Sequence, residues 1–341
     1  MQNKITLPLV VATCAASGAM AQTLWDVLTE HNNTLSTLNS FLESQQTLFQ
    51  ELENTQDITI LAPNNDALNA LYGDSTLMTK FSSDTGLVAA FWDYHVLQGM
   101  YYTSNVTGSP QPELFISTLL DNTTYSNVTG GQRVAARSDS NGTVSFYSGS
   151  GSQKSTVKGA NYNFTGGTVH VIDKVLSIPA SLNDTLINAN LTAAAGAFKS
   201  SAGDMLDSLS SEGSVTVFAP NNAGFDAVGS VIAGMSVADL TNVMGYHVLV
   251  GKVLYTDDIV DGSSEKTSQG GDVHFNVDNT SGTGGARNVF VDGARIVSSD
   301  MLIANGVIHV LDKYVSCSFL FLLLFVVSCF YLALTSPLPP Y

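Results

Sequence analysis

The chain reads Thr59-Ile-Leu-Ala-Pro-Asn-Asn65, then Tyr94-His-Val-Leu97, then Val169-His-Val-Ile-Asp-Lys-Val-Leu176. The same three blocks follow in the same order as Thr216-Val-Phe-Ala-Pro-Asn-Asn222, Tyr246-His-Val-Leu249 and Ile308-His-Val-Leu-Asp-Lys-Tyr-Val315. A repeat of several blocks in one order indicates two copies of a single domain. At 341 residues the chain is long enough for two domains that each bury their own core.

The repeated blocks resemble those of the fasciclin domain, an extracellular adhesion module. The resemblance covers nearly the whole chain between its two hydrophobic ends. It implies an α+β fold in which each domain is a compact β-sandwich or wedge with several packed helices. We expect the first fasciclin domain at residues 22–179 and the second at residues 180–315.

The resemblance also implies a candidate adhesion site. In the fasciclin family, the Tyr-His block and its apolar flank are implicated in adhesion to cell-surface receptors. The corresponding residues here are Tyr94, His95, Val96, Leu97, Tyr246, His247, Val248 and Leu249. Tyrosine and histidine beside apolar residues at a helix end are also typical of a hydrogen-bonded core position, so both interpretations stay open.

The charge balance restricts the partners. The chain has 13 Lys and Arg against 29 Asp and Glu, a formal net charge of −16. Phosphate binding needs a basic face, so this balance argues against nucleic acid and against an anionic membrane surface. It fits an exported protein that self-repulsion keeps soluble.

The first 21 residues have the pattern of a secretory signal peptide. Lys4 precedes an apolar run from Leu7 to Cys14, and Ala19-Met-Ala21 supplies a small-x-small exit. We expect cleavage after Ala21. Because the other two cysteines, Cys317 and Cys329, lie in the tail, the predicted domains contain no thiol, no disulfide and no cysteine ligand for a metal.

The tail, residues 316–341, is hydrophobic. Its run from Cys317 to Leu334 has just the length of a membrane helix, but it lacks basic flanking residues. A lipid-anchor signal is a second interpretation, although the polar spacer before the run is nearly absent. A translated intron, that is an error of the gene model, is the third.

Asn-x-Ser/Thr sequons are dense between the two ends, which suggests a glycoprotein. They begin at Asn32, Asn105, Asn122, Asn127, Asn141, Asn163, Asn183, Asn190 and Asn279. The five from Asn105 to Asn163 follow the first Tyr-His block, in a region that we interpret as exposed strands and loops.

Local patterns predict the elements of each repeat. Apolar residues at helical spacing predict one amphipathic helix over 34–52, and Ile58–Leu61 reads as a strand that Pro63 ends. Asn65-Asp66 suits the start of the next helix. In the second copy we expect a strand at Val215–Ala219, followed by a helix with Phe225 and Val228 on its apolar face.

The later part of each repeat reads as strands. Ser236-Val-Ala-Asp239 begins a helix that places Tyr-His at its end, before a strand. Asp292-Gly293 and Asn305-Gly306 predict hairpin turns in the second copy. In the first copy Ser148-Gly-Ser-Gly-Ser152 leaves the strand pairing uncertain. The linker around Pro179 is short, so we expect limited freedom between the domains.

No catalytic signature is present, whether nucleophile elbow, phosphate loop, zinc-protease motif or Cys-x-x-Cys. Two histidines per domain, His95 with His170 and His247 with His309, fall short of the three or four ligands of a zinc site. We therefore predict no enzyme, no cofactor and no metal.

The sequence as a whole predicts a secreted or cell-surface adhesion glycoprotein. Its partner would be a cell-surface receptor, a matrix or wall polymer, or a second copy of itself, and two sites on one short linker would gain effective concentration. A vacuolar or endosomal membrane protein of trafficking is the first alternative. A cell-surface carbohydrate-active enzyme is the second, and the missing catalytic motif argues against it.

Overall fold

The computed structural model describes residues 22–109, 113–150, 153–278 and 287–315. The predicted signal peptide (1–21), the hydrophobic tail (316–341) and the sequon at Asn279 lie outside the described residues. Among the described residues, no helix combines the length and apolarity needed to cross a bilayer.

The helices fall into two successive groups, one before or within each set of strands. They are α1 (Leu24–Glu30), α2 (Asn32–Ser44), α3 (Gln46–Asn54), α4 (Asn65–Gly73), α5 (Ser75–Ser83), α6 (Thr85–Asp93), α7 (Thr103–Thr107), α8 (Leu182–Asn188), α9 (Thr192–Ser200), α10 (Met205–Ser211), α11 (Asn222–Asp226), α12 (Gly229–Ala233) and α13 (Val237–Tyr246).

In the described part of the chain the strands also form two groups of seven. They are β1 (Ile58–Pro63), β2 (Val96–Gln98), β3 (Leu114–Ser117), β4 (Arg133–Ser138), β5 (Val144–Ser148), β6 (Gln153–Phe164), β7 (Gly167–Ile172), β8 (Val215–Pro220), β9 (Val248–Val250), β10 (Ser264–Lys266), β11 (Asp272–Asp278), β12 (Asn288–Val291), β13 (Ala294–Ile303) and β14 (Gly306–Leu311).

The two sheets have the same topology. The first runs β2-β1-β7-β6-β5-β4-β3 and the second β9-β8-β14-β13-β12-β11-β10, so each strand of one copy has an equivalent in the other. In both, the block-one strand pairs in parallel with the block-three strand, while the other pairs are antiparallel. The predicted α+β fold of two similar domains is confirmed.

Each sheet bends at one long strand. In the first domain β6 pairs with β5 through its first residues and with β7 through its later ones, and the register shifts at Gly159 between Val157 and Tyr162. In the second domain β13 bridges β12 and β14 in the same way. The bulges bend the strand, so the sheet forms a wedge with one part of the core on either side.

The parallel central pair requires a glycine at its start. Gly167 and Gly306 are the first residues of β7 and β14, opposite Ile58 and Val215. A Cβ at either glycine would collide with the carbonyl oxygen of the residue opposite it. The Gly in each block-three strand is therefore a consequence of close backbone approach.

The structure corrects three details of the predicted helices. The single helix over 34–52 is wrong, because the chain leaves helical geometry at Gln45 and turns so that Phe49 meets Trp25 edge to face. The helix after β1 is capped by Asn64, one residue earlier than expected. Val228 does not share a helix with Phe225, since α11 ends at Asp226.

The strand region of the first domain is more regular than its Gly-Ser stretch suggested. β5 and β6 pair as antiparallel neighbours with Ser148 opposite Gln153. In the second domain both predicted turns are confirmed, since β12 and β13 flank Asp292-Gly293 and β14 begins at Gly306. The region containing the five sequons is not only strand and loop, because Asn105 lies in α7.

The domains dock through backbone and side-chain contacts. The amide N–H of Asn127 donates to Ala304 O and that of Ser214 donates to Asn127 O, both at 2.9 Å. The side chain of the fully buried Gln132 donates to Ile303 O at 3.0 Å. The ring of Phe115 stacks on Tyr255 with centroids 4.1 Å apart. The domain pair is thus held by an ordered interface in addition to its short linker.

Candidate adhesion site

The Tyr-His block lies where a helix passes into a strand in both domains, as predicted. Helix α6 ends at Asp93, Tyr94 follows as its cap, and β2 begins at Val96. Helix α13 ends at Tyr246 and β9 begins at Val248. The side chain of Asp84 caps the start of α6, and that of Ser236 caps the start of α13.

All eight predicted adhesion residues are buried. The largest exposed fraction among them is 6%, at Tyr246, and both histidines are at most 1% exposed. A partner could touch these side chains only if the end of the helix separated from the sheet. Their role in adhesion stays a prediction, and the structure shows what they do within the fold.

Each histidine of the block joins two distant backbone segments. His95 Nδ1 lies 2.7 Å from Phe91 O, and the amide N–H of Leu176 donates to Nε2 at 2.8 Å. In the second domain, His247 Nδ1 lies 2.8 Å from Val243 O, and the amide of Val315 donates to Nε2 at 3.2 Å. An imidazole with this pair of partners is neutral, with its proton on Nδ1.

Burial sets the protonation of these histidines. It lowers the pKa of His95 to about 4 and that of His247 to about 4, against a weaker opposing effect of the carbonyl that each Nδ1 faces. Both rings are therefore uncharged at neutral pH. The interpretation of these histidines as hydrogen-bonded core residues agrees with their contacts.

The tyrosines make the equivalent contact in the two copies. The hydroxyl of Tyr94 donates to Arg133 O at 2.9 Å, at the start of β4. The hydroxyl of Tyr246 lies 2.7 Å from Asp272 O, at the start of β11, and 2.8 Å from a carboxylate oxygen of Asp292. Each tyrosine hydroxyl thus connects the end of its helix to β4 or β11, beyond the bend of the sheet.

In both domains the strand of the first block is hydrogen-bonded to the Tyr-His block and to the segment that follows it. The amide of Leu61 donates to His95 O and that of Phe218 donates to His247 O, each at 2.8 Å. The buried hydroxyl of Thr59 binds Gly99 O and accepts from Tyr101 N, and Thr216 bonds Lys252 O and Leu254 N equivalently. The blocks recur together because they form one hydrogen-bonded junction.

The two asparagines that follow each proline make different hydrogen bonds. Asn64 and Asn221 cap the following helix, and each side chain accepts from the amide N–H of the third residue of that helix at 2.8 Å. Asn65 accepts from Thr37 N, and Asn222 accepts from Ala193 N. These bonds attach the turn to an earlier helix, α2 in the first domain and α9 in the second. The sequence indicated the cap, but only the tertiary structure shows the second contact.

The second histidine of each domain does not join the first in a metal site. The amide of Asn161 donates to His170 Nδ1 and that of Asp300 donates to His309 Nδ1, while each Nε2 faces a backbone carbonyl. Burial lowers the pKa of His170. Across the described residues, no cluster of three or more His, Cys, Asp or Glu side chains is arranged to hold a metal ion.

An acid with an unusual environment lies next to the Tyr-His block, and no sequence pattern indicates it. Asp93, the last residue of α6, is half-buried. Burial raises its pKa to about 6, and the negative charges of Asp121 and Glu51 add to this effect. Asp93 is therefore partly protonated at mildly acid pH, which no local pattern signals because its neighbours come from other parts of the chain.

The sequons differ in accessibility. Asn32, Asn105, Asn122, Asn141, Asn163 and Asn190 are exposed, and Asn183 is half-buried. Asn127 is different, because its side-chain Nδ2 lies 3.4 Å from Ser211 O across the domain interface. The hydroxyl of Thr129, in the same sequon, accepts from Ser214 Oγ at 3.0 Å.

Comparison with known proteins gives the family. The sequence model of the fasciclin domain matches residues 33–179 and 189–316. A fasciclin-like arabinogalactan protein of Arthroderma benhamiae is 30% identical over 280 residues, which are 82% of this chain and 63% of that protein. A second fasciclin-like arabinogalactan protein, from Cercospora beticola, is 28% identical over 91% of this chain and 82% of its own length.

Among solved structures, a FAS1 domain pair from the insect cell adhesion molecule fasciclin I covers 84% of this chain and 98% of its own, with 18% identity and a TM-score of 0.39. The family match, the repeated blocks and the two equivalent sheets agree. The chain belongs to the fasciclin family and carries two tandem fasciclin domains.

Proposed function

We propose that this chain is a non-enzymatic adhesion glycoprotein that attaches cells to one another or to matrix or wall polymer. The observation that carries this proposal is the pair of fasciclin domains, which spans most of the chain and is docked through an ordered interface. A docked pair holds two binding surfaces at a set distance, and this favours simultaneous engagement of a repetitive or surface-bound partner.

The distribution of polar contacts supports a binding role outside the repeated blocks. The threonines, asparagines, tyrosines and histidines of both block sets are used in internal hydrogen bonds. Surfaces that differ between the copies are therefore the better candidates for contact with a partner. We propose that the Tyr-His residues act by holding those surfaces in shape.

The proposed location is the cell surface or the extracellular space. The two relatives named above are called fasciclin-like arabinogalactan proteins, which supports a glycosylated, exported protein. Exposed sequons in both domains agree with this, since Asn141 and Asn190 can each carry a glycan without disturbing a contact. A membrane protein of the vacuole or endosomes enters by the same route and is the alternative that imaging would separate.

Bead aggregation tests the proposal. The full chain is expressed in a eukaryotic secretory host, coupled covalently to beads and washed free of detergent. Beads are then observed alone and mixed with cells of the source organism. Beads that carry the Gly306→Val variant, in which the side chain collides with Val215 O, are the matched control for unfolded protein.

Two results would support adhesion, and one would reject it. Clumping of beads alone indicates self-association, and attachment only to cells indicates a separate ligand on their surface. In either case the Gly306→Val beads should stay dispersed. If beads with the folded chain neither clump nor attach, the adhesion proposal is wrong.

A further inference from the structure

A groove opens on the helical side of the first domain, where α1, the end of α2 and α3 meet. Trp25 and Phe49 form an aromatic floor, with ring centroids 5.7 Å apart in an edge-to-face arrangement. The rim is lined by Glu43 at the end of α2 and by Gln46, Gln50 and Glu53 of α3. The groove has a volume of about 450 Å³, within the range of sites that bind small molecules.

The polar side chains of this rim are not used by the fold. They belong to Glu43, Gln46, Gln50 and Glu53. Within the described part of the chain, none of the four side chains takes part in a hydrogen bond or an ion pair. Glu43, Gln46 and Gln50 are exposed and Glu53 is half-buried, so two carboxylates and two amides at this groove are accessible to a ligand.

The charge of the groove selects the kind of ligand. Its lining contains two glutamates and no lysine or arginine, on a chain with a net charge of −16. Carboxylates repel anionic sugars and attract cations, and tryptophan is the aromatic side chain that attracts cations most strongly. The amides of Gln46 and Gln50 add donors and acceptors suited to hydroxyl groups.

The fasciclin fold does not require this aromatic floor. Trp25 is the second residue of α1, which begins after the cap Thr23. The equivalent position in the second domain, the second residue of α8 after the cap Ser181, is Asn183. Since an asparagine is compatible with the same helix, the tryptophan has no structural role that both copies share.

The geometry points to a binding site for a glucosamine-containing polysaccharide. The apolar face of a pyranose ring lies on Trp25, its ammonium group pairs with Glu43 or Glu53, and its hydroxyls bond to the two glutamines. A polymer of such units extends along the groove beyond the first ring. The inference rests on the proposed binding function and names the chemistry of one ligand for it.

Calorimetric titration of the full chain tests the site with two matched probes. A glucosamine hexamer carries the amine, and an N-acetylglucosamine hexamer has the same linkage without the charge. The titrations are run at about pH 6, where the free amine of the glucosamine hexamer is protonated. We expect the glucosamine hexamer to bind at least about tenfold more tightly than its acetylated counterpart, and to weaken as salt is raised.

Two variants locate the binding. Trp25→Asn installs the residue of the second domain and should weaken the glucosamine hexamer by about tenfold or more. Glu43→Gln with Glu53→Gln keeps shape and removes charge, so it should abolish the preference for the free amine. Trp25 and Glu53 are half-buried and Trp25 packs on Phe49, so an unchanged far-ultraviolet circular dichroism spectrum and a cooperative thermal transition are the criteria that the variants are folded.

Several outcomes would overturn the site. Equal affinity for the two hexamers would show that the amine is not recognised, and unchanged binding in Trp25→Asn would place the sugar elsewhere. Tighter binding of a lysine oligomer than of the glucosamine hexamer would indicate a general cation site. Bead attachment, measured in parallel on the same variants, separates failure of this site from failure of adhesion itself.

Discussion

In each domain one buried imidazole joins the end of a helix to the residue that closes the domain. His95 reaches Leu176, 81 residues away in the sequence, and His247 reaches Val315, 68 residues away. A neutral ring satisfies one amide and one carbonyl that would otherwise be buried without partners. At the scale of the residue, histidine is therefore used for its two different nitrogens and not for its charge.

The first prediction concerns acid stability. The folded-state pKa of about 4 at His247 lies below the ordinary value of 6.5, so only the unfolded state takes up a proton between these values. The stabilisation is complete above pH 6.5 and falls as the pH drops towards 4, by about 3 kcal/mol per histidine. The free energy of unfolding, measured by urea titration across this range, should show this loss.

The variant His247→Gln provides the check, because an amide can replace both hydrogen bonds without titrating. We expect a shallower dependence on pH between 4 and 6.5 than in the wild type. Asn188→Gln, at an exposed side chain that does not titrate, is the control and should leave the slope unchanged. An unaltered slope in His247→Gln would contradict the neutral, buried imidazole.

The second prediction uses Asp93, whose pKa is raised to about 6 by burial and by nearby acids. Because the folded-state pKa is raised, the contribution of Asp93 to the free energy of unfolding is complete below the unfolded pKa of 3.8. This contribution is lost as the pH rises through about 6. Asp93→Asn should therefore stabilise the protein at pH 7.5, by about 1 kcal/mol because solvent screens the half-exposed carboxylate.

Thermal unfolding at two pH values tests this change. The gain from Asp93→Asn should be seen at pH 7.5 and should vanish below pH 3.8. Glu212→Gln removes an exposed carboxylate of the second domain and serves as the comparison. A destabilised Asp93→Asn at neutral pH would mean that the ionised carboxylate has a favourable partner.

At the scale of the element, the Pro-Asn-Asn turn does more than end a strand. Its first asparagine begins the next helix, and its second fastens a helix that precedes the strand. The same two contacts recur at Asn221 and Asn222. The turn thus fixes the packing of two helices at the end of the strand that precedes it, which explains why both asparagines occur in both copies.

The third prediction concerns this cap. Asn221→Ala removes the acceptor for Gly224 N, and we expect a loss of about 1 kcal/mol in the free energy of unfolding. Asn188→Ala changes an exposed asparagine at the end of α8 and should cost much less. Equal losses in the two variants, measured by denaturant titration, would show that the cap contributes nothing specific.

At the scale of the whole molecule, the two domains form a docked pair. Their interface combines backbone hydrogen bonds around Asn127, the buried Gln132 side chain and an aromatic stack between Phe115 and Tyr255. The guanidinium of Arg133 lies 5.0 Å from the centre of the Tyr255 ring. These contacts couple the domains more strongly than the short linker alone would.

The fourth prediction is that the domains unfold together. Phe115→Ala removes the stack on Tyr255, and we expect the single calorimetric transition of the wild type to split or broaden as about 1–2 kcal/mol of coupling is lost. Tyr72→Ala, at an exposed aromatic residue of the first domain, should keep one transition. A single unshifted transition in Phe115→Ala would contradict energetic coupling through the stack.

The fifth prediction concerns glycosylation. The Nδ2 atom that would carry a glycan at Asn127 lies against Ser211 O, and Thr129 is bonded to Ser214. Asn141 lies in an exposed turn. Site-specific mass spectrometry of the folded, secreted protein should find Asn141 modified and Asn127 unmodified. A glycan on most copies of Asn127 would show that the domains are not docked as described.

The sequence by itself determined the number of domains, the strand of the first block and the place of the Tyr-His block between helix and strand. Repeats, caps and apolar periodicity are local patterns, and helices and strands follow from them. The long helix predicted over 34–52 failed at Gln45, because the direction of the chain there depends on packing between Phe49 and Trp25.

Only the tertiary structure decided what those residues do. The burial of His95, the second contact of Asn65, the raised pKa of Asp93 and the interface at Asn127 all depend on partners distant in the sequence. The groove between Trp25 and Phe49 likewise exists because two helices turn towards each other. Local patterns cannot specify such contacts, since burial and approach between remote segments are set when the whole chain packs.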